Sequence, residues 1–220
     1  MALDDNTRIL CVGVNYRPHI REMGRDVPDH PVVFIRFPSS LVGPDEPVIR
    51  PAVSEKFDFE GELALVIGKP AHRVPRGEAL DYVAGYCCFL DGSVRDWQSH
   101  TSQFTPGKNF DKSGAIGPPV PASDIGDPAT LTLTTRVNGT VMQTGALAEL
   151  VFDVPYLIAY CSTFTELRPG DVIATGTPGG VGAARRPPVW LRDGDLVEVD
   201  IPGVGILKNP VRDESSQNTA

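Results

Sequence analysis

The chain has 220 residues, of which 41% are hydrophobic, and this is enough to close one domain around a sizeable core. Its net charge of −8 and its pI near 5.0 argue against nucleic acid as a partner, because binding phosphates needs a basic face. We find no apolar run of membrane-spanning length and no signal-peptide pattern, so we expect no membrane partner and a cytoplasmic location.

The cysteines, glycines and prolines indicate the fold class. Four cysteines lie inside apolar stretches without zinc-ligand spacing, so we expect buried free thiols: Cys11, Cys87, Cys88 and Cys161. The 22 glycines and 21 prolines punctuate short apolar runs, as turns punctuate strands. The composition therefore favours a β-rich chain.

The first 51 residues are predicted to hold two strands and one short helix. The strands are residues 8–14 and 32–36. Between them, Pro18 suits the first turn of a helix that carries His19 and Glu22 on one face. Residues 38–51, rich in proline and glycine, are predicted to be a loop.

The next segment, FDFEGELALVIG at residues 57–68, is the clearest predicted strand. Its odd positions from residue 63 to 67 are apolar, while Glu60 and Glu62 share the other face. A short helix is expected at 75–83. A strand is expected at 86–90, which stops at the turn signal Asp91-Gly92.

The C-terminal half is predicted to add strands and one longer helix. The strand at 131–137 leads through Asn138-Gly139 into a tight hairpin, and 154–163 is the best amphipathic helix. Further strands are expected at 171–175, 196–201 and 205–207, followed by a polar tail at 213–220. Many strands without repeated strand–helix alternation predict a β-rich α+β fold. The glycine-rich TGTPGGVG lacks a Walker lysine, which argues against a nucleotide loop.

Three carboxylates form the candidate metal site. Glu60 and Glu62 point the same way on one strand and repel each other, unless a hard cation lies between them. Alone, such a pair more often marks a solvated strand face. Asp91 closes the apolar run YCCFLDG, where a carboxylate is costly unless it is bound or at a rim, although it could also cap the turn before Gly92. Three carboxylates together would suit Mg²⁺ or Mn²⁺.

A second group supplies candidate proton-transfer and anion-binding chemistry. His19, oriented by Glu22, could take a proton from water at neutral pH, although a surface helix pair would look the same. Lys108, in FTPGKNF, could reach a bound anion or simply be solvated.

The order of the motifs resembles the fumarylacetoacetate hydrolase superfamily from about residue 8 to residue 211. The segments that carry the resemblance are CVGVNYRPHIREMG, FIRFPSSLVG, FDFEGELALVIGK, GYCCFLDGSVRDWQ, TPGKNFDKSGAIGP, TRVNGTVMQ, FDVPYLIAYCS, LRPGDVIATGTPGGVG and LRDGDLVEVDIPGVGILKNPV. Nine ordered segments are far more specific than any single motif.

The resemblance implies a fold and a division of the chain. The fold would be a mixed β-sandwich or rolled β-barrel with peripheral helices, in a homodimer. Residues 1–50 would form an N-terminal segment with a lid carrying His19 and Glu22. Residues 51–212 would form the catalytic β-fold, and 213–220 the tail.

The resemblance also implies roles for individual residues. Glu60, Glu62 and Asp91 would hold Mg²⁺ or Mn²⁺. Lys108 would be catalytic, binding or polarising substrate oxygens near the metal, and His19 with Glu22 would activate water. Arg95 and Gln98 would contact the substrate, and Gly176 and Thr177 would donate to its carboxylate. Relatives often have lysine where this chain has Arg36, asparagine at Leu90, and hydroxyls near Leu147 and Ala148, which leaves the substrate open.

The implied activity is hydrolysis of a carbon–carbon bond in an acylpyruvate, of the fumarylpyruvate or maleylpyruvate class. The substrate would be a small acidic 2-oxo acid, and the products would be pyruvate and a carboxylic acid. Three alternatives stay open: decarboxylation of oxaloacetate, isomerisation or decarboxylation of a hydroxymuconate in aromatic catabolism, and a non-enzymatic metal-stabilised binding domain.

Overall fold

The computed structural model describes residues 3, 4 and 6–215, and its regular structure is mostly short strands. The strands are β1 (Ile9–Gly13), β2 (Val32–Arg36), β3 (Leu41–Val42), β4 (Val48–Arg50), β5 (Phe57–Asp58), β6 (Gly61–Ile67), β7 (Val83–Leu90), β8 (Ser93–Val94), β9 (Gly114–Ile116), β10 (Val120–Pro121), β11 (Thr132–Val137), β12 (Thr140–Ala146), β13 (Val172–Ala174), β14 (Leu196–Ile201) and β15 (Gly205–Asp213). The helices are α1 (Arg17–Glu22), α2 (Arg95–Gln98), α3 (Thr105–Lys108), α4 (Ala122–Ile125) and α5 (Val154–Phe164). Short 3-10 helices span Pro38–Ser40, Arg76–Tyr82, Pro128–Thr130, Leu147–Glu149 and Gly182–Ala184.

Two mixed sheets form the body of the protein. The larger sheet has the order β2-β1-β13-β6-β7-β9-β3, with β10 paired to β7, and it curls into a half-barrel. The second sheet has the order β12-β11-β14-β15-β4, and a two-stranded piece joins β5 to β8. The predicted β-rich α+β class is confirmed.

Strand β6 lies at the centre of the larger sheet and is buried on both faces. Leu63, Leu65 and Ile67 contribute to the main core, while Ala64 and Val66 join a second cluster on the opposite face. That opposite face also carries Glu62, because side chains alternate along a strand. The acidic residue is therefore held in a fully packed strand.

Most predicted elements are present, but the proline-rich stretch 38–51 was wrongly predicted to be a loop throughout. It contains a 3-10 helix and the strands β3 and β4. The long strand predicted at 57–68 is also interrupted, because the Asp58 carboxylate accepts the N–H of Phe59 and separates β5 from β6. The helix predicted at 75–83 is of the 3-10 type.

The predicted hairpin, helix and free thiols are confirmed. Thr140 follows the Asn138-Gly139 turn as the first residue of β12, and α5 begins after Asp153, whose carboxylate accepts the N–H of Tyr156 at 2.9 Å. All four cysteines are free and buried. None of the helices in the described part of the chain has the length and apolar character needed to cross a membrane. The predicted tail falls partly outside the description, since residues 216–220 are not described.

Candidate metal and substrate site

Backbone pairing brings the acidic residues together at one end of two neighbouring strands. Gly61 of β6 pairs with Leu90 of β7, and the N–H of Asp91 donates to the carbonyl of Glu60 at 2.8 Å. Glu60 and Asp91 therefore leave adjacent strands side by side, and like charges in such a position destabilise a sheet unless positive charge compensates them.

The carboxylates of Glu60, Glu62 and Asp91 form one cluster. Each offers an oxygen within 4.8 Å of those of the other two, and all three residues are buried. Buried carboxylates must be paired or must coordinate a cation. The set consists of hard oxygen donors, as Mg²⁺ and Mn²⁺ prefer.

Three cations compensate part of this negative charge. Lys108 Nζ lies 2.6 Å from both Glu60 Oε2 and Asp91 Oδ2. Arg36 Nη1 lies 2.5 Å from Asp91 Oδ1, and Arg95 Nη2 lies 2.7 Å from Glu60 Oε1. Burial alone would lower the pKa of Lys108, but Asp91 and Glu60 outweigh it and raise that pKa, so the ammonium stays charged.

Glu60 and Glu62 differ sharply in their surroundings. Burial opposes ionisation of Glu60, but Arg95 and Lys108 overcome it and hold the pKa of this carboxyl well below its usual value. Burial raises the pKa of Glu62 well above its usual value, and the charges of Asp91 and Glu60 add to this effect. Glu62 is thus the member of the cluster that most needs another cation.

A divalent cation fits these residues. Glu62 Oε2 accepts the N–H of Gly176 at 2.8 Å, but among the described residues no side-chain cation lies within ion-pair distance of Glu62. Gly176 reaches this position with φ +103°, and a Cβ there would lie 2.9 Å from the Val12 carbonyl oxygen. The backbone therefore holds Glu62 at the cavity wall, where its carboxylate has lone pairs left to coordinate a cation.

The contacts of Arg36 explain why this chain has arginine at a position where relatives often have lysine. Its buried guanidinium binds Asp91 and donates to Ser40 Oγ, to the Ser40 and Gly92 carbonyls, and to Ser113 Oγ. Only the fork of an arginine has the five N–H donors for these contacts. Arg36 thus fixes the orientation of Asp91.

His19 and Glu22 lie on α1 and form a pair. His19 is 9% exposed, and its Nδ1 lies 3.3 Å from Glu22 Oε2. The N–H of Gly180 lies 3.0 Å from both oxygens of Glu22 and ties the helix to the TGTPGG loop. Burial works against the charge of Glu22, but the hydrogen bonds from His19 and Gly180 prevail and lower its pKa.

A cavity of about 670 Å³ lies beside the cluster, within the size range typical of small-molecule sites. Seven of the ten predicted site residues line it: His19, Glu60, Glu62, Arg95, Gln98, Lys108 and Thr177. Asp91 is fully buried behind this surface, and Glu22 holds His19 from outside it.

Gly176 and Thr177 are engaged with the protein itself. The N–H of Gly176 goes to Glu62, while Thr177 Oγ1 donates to the Gly61 carbonyl at 2.9 Å and accepts from Gln143 Nε2 at 2.7 Å. Their predicted contact with a substrate carboxylate stays a prediction.

Asp58 is a residue of this site that the sequence analysis missed. It is fully buried, and its carboxylate accepts from Arg95 Nε at 2.7 Å and from the N–H groups of Gly182 and Ala183. Arg95 also donates to Gln98 Oε1 at 2.8 Å, so its guanidinium is held from two sides. The signal was available, since Asp58 continues the acidic alternation of Glu60 and Glu62.

Comparison with known proteins identifies the family. Residues 8–212 match the family described as fumarylacetoacetate (FAA) hydrolase C-terminal. The chain belongs to this family. Mitochondrial oxaloacetate tautomerase fahd2 of Xenopus laevis is 43% identical over 207 residues, which are 93% of this chain and 65% of that protein. The chain therefore spans just under two thirds of that relative's length.

Two solved structures share the fold. The 5-carboxymethyl-2-hydroxymuconate delta-isomerase from Mycobacterium smegmatis has a TM-score of 0.85 at 37% identity, covering 96% of this chain and 80% of the other. Fumarylpyruvate hydrolase from Pseudomonas aeruginosa, in complex with Mn²⁺ and pyruvate, has a TM-score of 0.86 at 34% identity, covering 94% and 90%. The proteins to which this chain is similar thus include a hydrolase, an isomerase and a tautomerase.

Proposed function

We propose that the chain is a divalent-metal-dependent hydrolase that cleaves a carbon–carbon bond in an acylpyruvate, releasing pyruvate and a carboxylic acid. One observation carries the proposal: His19, backed by Glu22, lines the same cavity as Glu60 and Glu62. An acidic cluster alone would serve any enolate chemistry, whereas a histidine–carboxylate pair adds a base for water.

Glu60, Glu62 and Asp91 would hold the cation, as Mg²⁺ or Mn²⁺. When bound, the cation would supply Lewis-acid stabilisation of negative charge on the oxygens of a 2-oxo acid. The Mn²⁺ and pyruvate named for the Pseudomonas aeruginosa structure support this assignment.

The proton chemistry falls to His19. Because its Nδ1 faces the Glu22 carboxylate, the Nδ1–H donates to Glu22 and Nε2 is left to accept a proton from water. The carboxylate of Glu22 stays ionised and stabilises the imidazolium that results. The hydroxide so formed attacks the carbonyl of the acyl group. The bond to the pyruvate carbon breaks, its electron pair leaves as the pyruvate enolate, and the imidazolium of His19 gives the proton back to that carbon.

Lys108 and Arg95 act by charge. Both cations line the cavity, Lys108 buried and Arg95 partly buried, and a charge in a water-poor site is worth more than one in bulk water. Lys108 would stabilise negative charge on the departing pyruvate unit, and Arg95 with Gln98 would orient the substrate.

Keto–enol tautomerisation of oxaloacetate is the second candidate, favoured by the 43% identity to an oxaloacetate tautomerase. Here His19 would move a proton between carbon and oxygen of the substrate, and no water would attack. The isomerase from Mycobacterium smegmatis makes hydroxymuconate substrates a third group to assay.

A substrate panel tests the proposal. Fumarylpyruvate, maleylpyruvate and acetylpyruvate would be assayed for pyruvate release with Mg²⁺, with Mn²⁺ and with a chelator. Oxaloacetate would be followed for enol decay and for decarboxylation, and a carboxymethyl-hydroxymuconate for isomerisation. The variants are His19→Ala and, as a matched control, His72→Ala, since His72 is exposed and outside the cavity.

We expect metal-dependent pyruvate release that falls by about 10²- to 10⁴-fold in His19→Ala and is unchanged in His72→Ala. Undiminished release by His19→Ala would exclude water activation by that residue. Rapid enol decay without pyruvate release would select the tautomerase. A chain that only gains stability from metal, and turns over no substrate, would be a binding domain. A homodimer and a cytoplasmic location stay predictions, and several relatives are named as mitochondrial.

A further inference from the structure

The end of α1 places Arg25 in a defined position. Gly24, with φ +61°, follows the helix; its N–H donates to the Arg21 carbonyl at 3.1 Å, and the N–H of Arg25 donates to the Ile20 carbonyl at 3.0 Å. These two bonds form a Schellman motif, which closes a helix and fixes the direction of the chain after it. Arg25 therefore leaves the helix at a set angle.

That angle brings Arg25 to the cavity wall. The guanidinium carbon lies 5.8 Å from the centre of the Phe104 ring, within cation–π range. Phe104 in turn packs edge-on against Phe34 at 5.7 Å, and a Cβ at Gly13 would lie 3.0 Å from the Phe104 ring. The Phe104 ring that contacts Arg25 is thus held in position by its own packing.

The charge of Arg25 is free, in contrast to the other cations of the cavity. Lys108 binds Glu60 and Asp91, and Arg95 is paired with Asp58 and Glu60. Within the described part of the chain, no carboxylate lies within ion-pair distance of Arg25, and its side chain makes no hydrogen bond. An arginine in this state has its planar set of donors available for an incoming carboxylate.

The cavity that Arg25 lines has apolar side chains as well as polar ones. Val12, Met23, Val32 and Phe34 line the cavity together with Phe104. These apolar side chains suit the carbon chain that would join the two charged ends of a substrate.

We propose that Arg25 is a specificity-determining residue that binds a carboxylate at the end of the substrate remote from the 2-oxo acid. The preferred substrates are therefore dicarboxylic 2-oxo acids, with one charged group at the acidic cluster and the second at Arg25. This inference rests on the proposed function for the placement of the 2-oxo acid end.

The test compares two substrates that differ at the remote end. Fumarylpyruvate carries a carboxylate there, and acetylpyruvate carries a methyl group. The variants are Arg25→Gln, which removes the charge, and Arg25→Lys, which keeps a point charge. The matched control is Arg21→Gln, at an exposed position on the preceding helix α1 and outside the cavity. Thermal unfolding would establish that each variant is folded.

We expect Arg25→Gln to raise KM for fumarylpyruvate about fivefold, as for a partly exposed ion pair, with KM for acetylpyruvate unchanged. The KM of Arg25→Lys for fumarylpyruvate should lie between those of wild type and Arg25→Gln. Added salt should narrow the difference in this KM between wild type and Arg25→Gln, because it screens exposed charges. Equal effects on both substrates, or no effect on either, would overturn the assignment.

A wild-type protein that hydrolyses neither substrate would refute the proposed hydrolase but not the role of Arg25. Calorimetric binding of oxaloacetate and of pyruvate, each with Mg²⁺, would then decide. The affinity for oxaloacetate divided by the affinity for pyruvate should fall about fivefold in Arg25→Gln and should equal that of wild type in Arg21→Gln. A ratio equal to that of wild type in Arg25→Gln would refute the inference.

Discussion

The two ends of the cavity are built in different ways. At the acidic end, Glu60, Glu62 and Asp91 belong to or directly flank the central strands β6 and β7, and buried cations surround them. At the other end, His19 and Arg25 belong to a helix of six residues and the turn after it. There the N–H of Gly180 holds Glu22, and Ile20 is the buried apolar side chain of the helix.

This difference predicts that the acidic end governs metal binding and stability, whereas the helical end governs turnover and substrate specificity. The acidic end has high charge density in a packed sheet, so changing it should disturb stability and metal binding together. At the helical end Glu22 and Arg25 are exposed, so changing them should alter turnover or specificity while leaving the fold intact. Each prediction below tests one side of this division.

Asp91→Ala should have the largest effect. It removes one of three carboxylates, so we expect Mg²⁺ binding measured by calorimetry to be lost and turnover to fall on the order of 1,000-fold. Asp91→Asn should behave similarly with a smaller loss of stability, because it keeps the shape of the side chain. The control is Asp81→Ala, at an exposed position. Unchanged Mg²⁺ affinity in both Asp91 variants would remove the acidic cluster as the metal site.

Arg36→Ala should show that the acidic end is also structural. It leaves Asp91 buried without its arginine and strips donors from Ser40, Gly92 and Ser113. We expect a loss of about 3–5 kcal/mol in the free energy of unfolding by urea. Arg36→Lys should cost less, since a positive charge remains. Arg212→Ala, at an exposed pair 3.9 Å long, should cost under about 0.5 kcal/mol. Equal costs for Arg36→Ala and Arg212→Ala would contradict this account.

The local parts of this site could be predicted from the sequence. Alternation along a strand placed Glu60 and Glu62 on one face, and the end of an apolar run marked Asp91, because both signals depend only on neighbouring residues. The same holds for α1, where Pro18 and the spacing of His19 and Glu22 were sufficient.

The parts that depend on distant pairing could not be predicted. The strands β3 and β4 are two and three residues long and pair with β9 and β15, too short to show a periodic pattern. Strand β15 runs on to Asp213 through Pro210, a residue that argues against a strand in sequence. The contact of Arg36 with Asp91 spans 55 positions and exists only because the sheet brings the two together.

Asp58→Asn should weaken substrate binding by releasing Arg95. The amide can still accept from the N–H of Gly182, but it loses the charge that holds Arg95. We expect KM for fumarylpyruvate to rise about tenfold with little change in Mg²⁺ affinity. Asp111→Asn, at an exposed position, is the control. A fall in kcat and Mg²⁺ affinity without a change in KM would mean that Asp58 acts on the acidic cluster instead.

Glu22→Gln should have the smallest effect on stability, and that effect should depend on pH. The pKa of Glu22 is lower in the folded protein than in the unfolded chain, so its ionisation stabilises the fold above the unfolded pKa of about 4.3. This contribution is lost as the pH falls through the folded pKa. With a quarter of the side chain exposed, the contribution should stay under about 1 kcal/mol. Urea unfolding at several pH values should therefore show the stabilities of wild type and Glu22→Gln furthest apart near pH 7 and converging below pH 4. The control Glu166→Gln, at an exposed position, should run parallel to wild type.

The same variant, Glu22→Gln, should also lower kcat at every pH, because His19 loses the carboxylate that orients it. A variant with full turnover would place His19 outside the reaction and leave the helical end as a specificity element only.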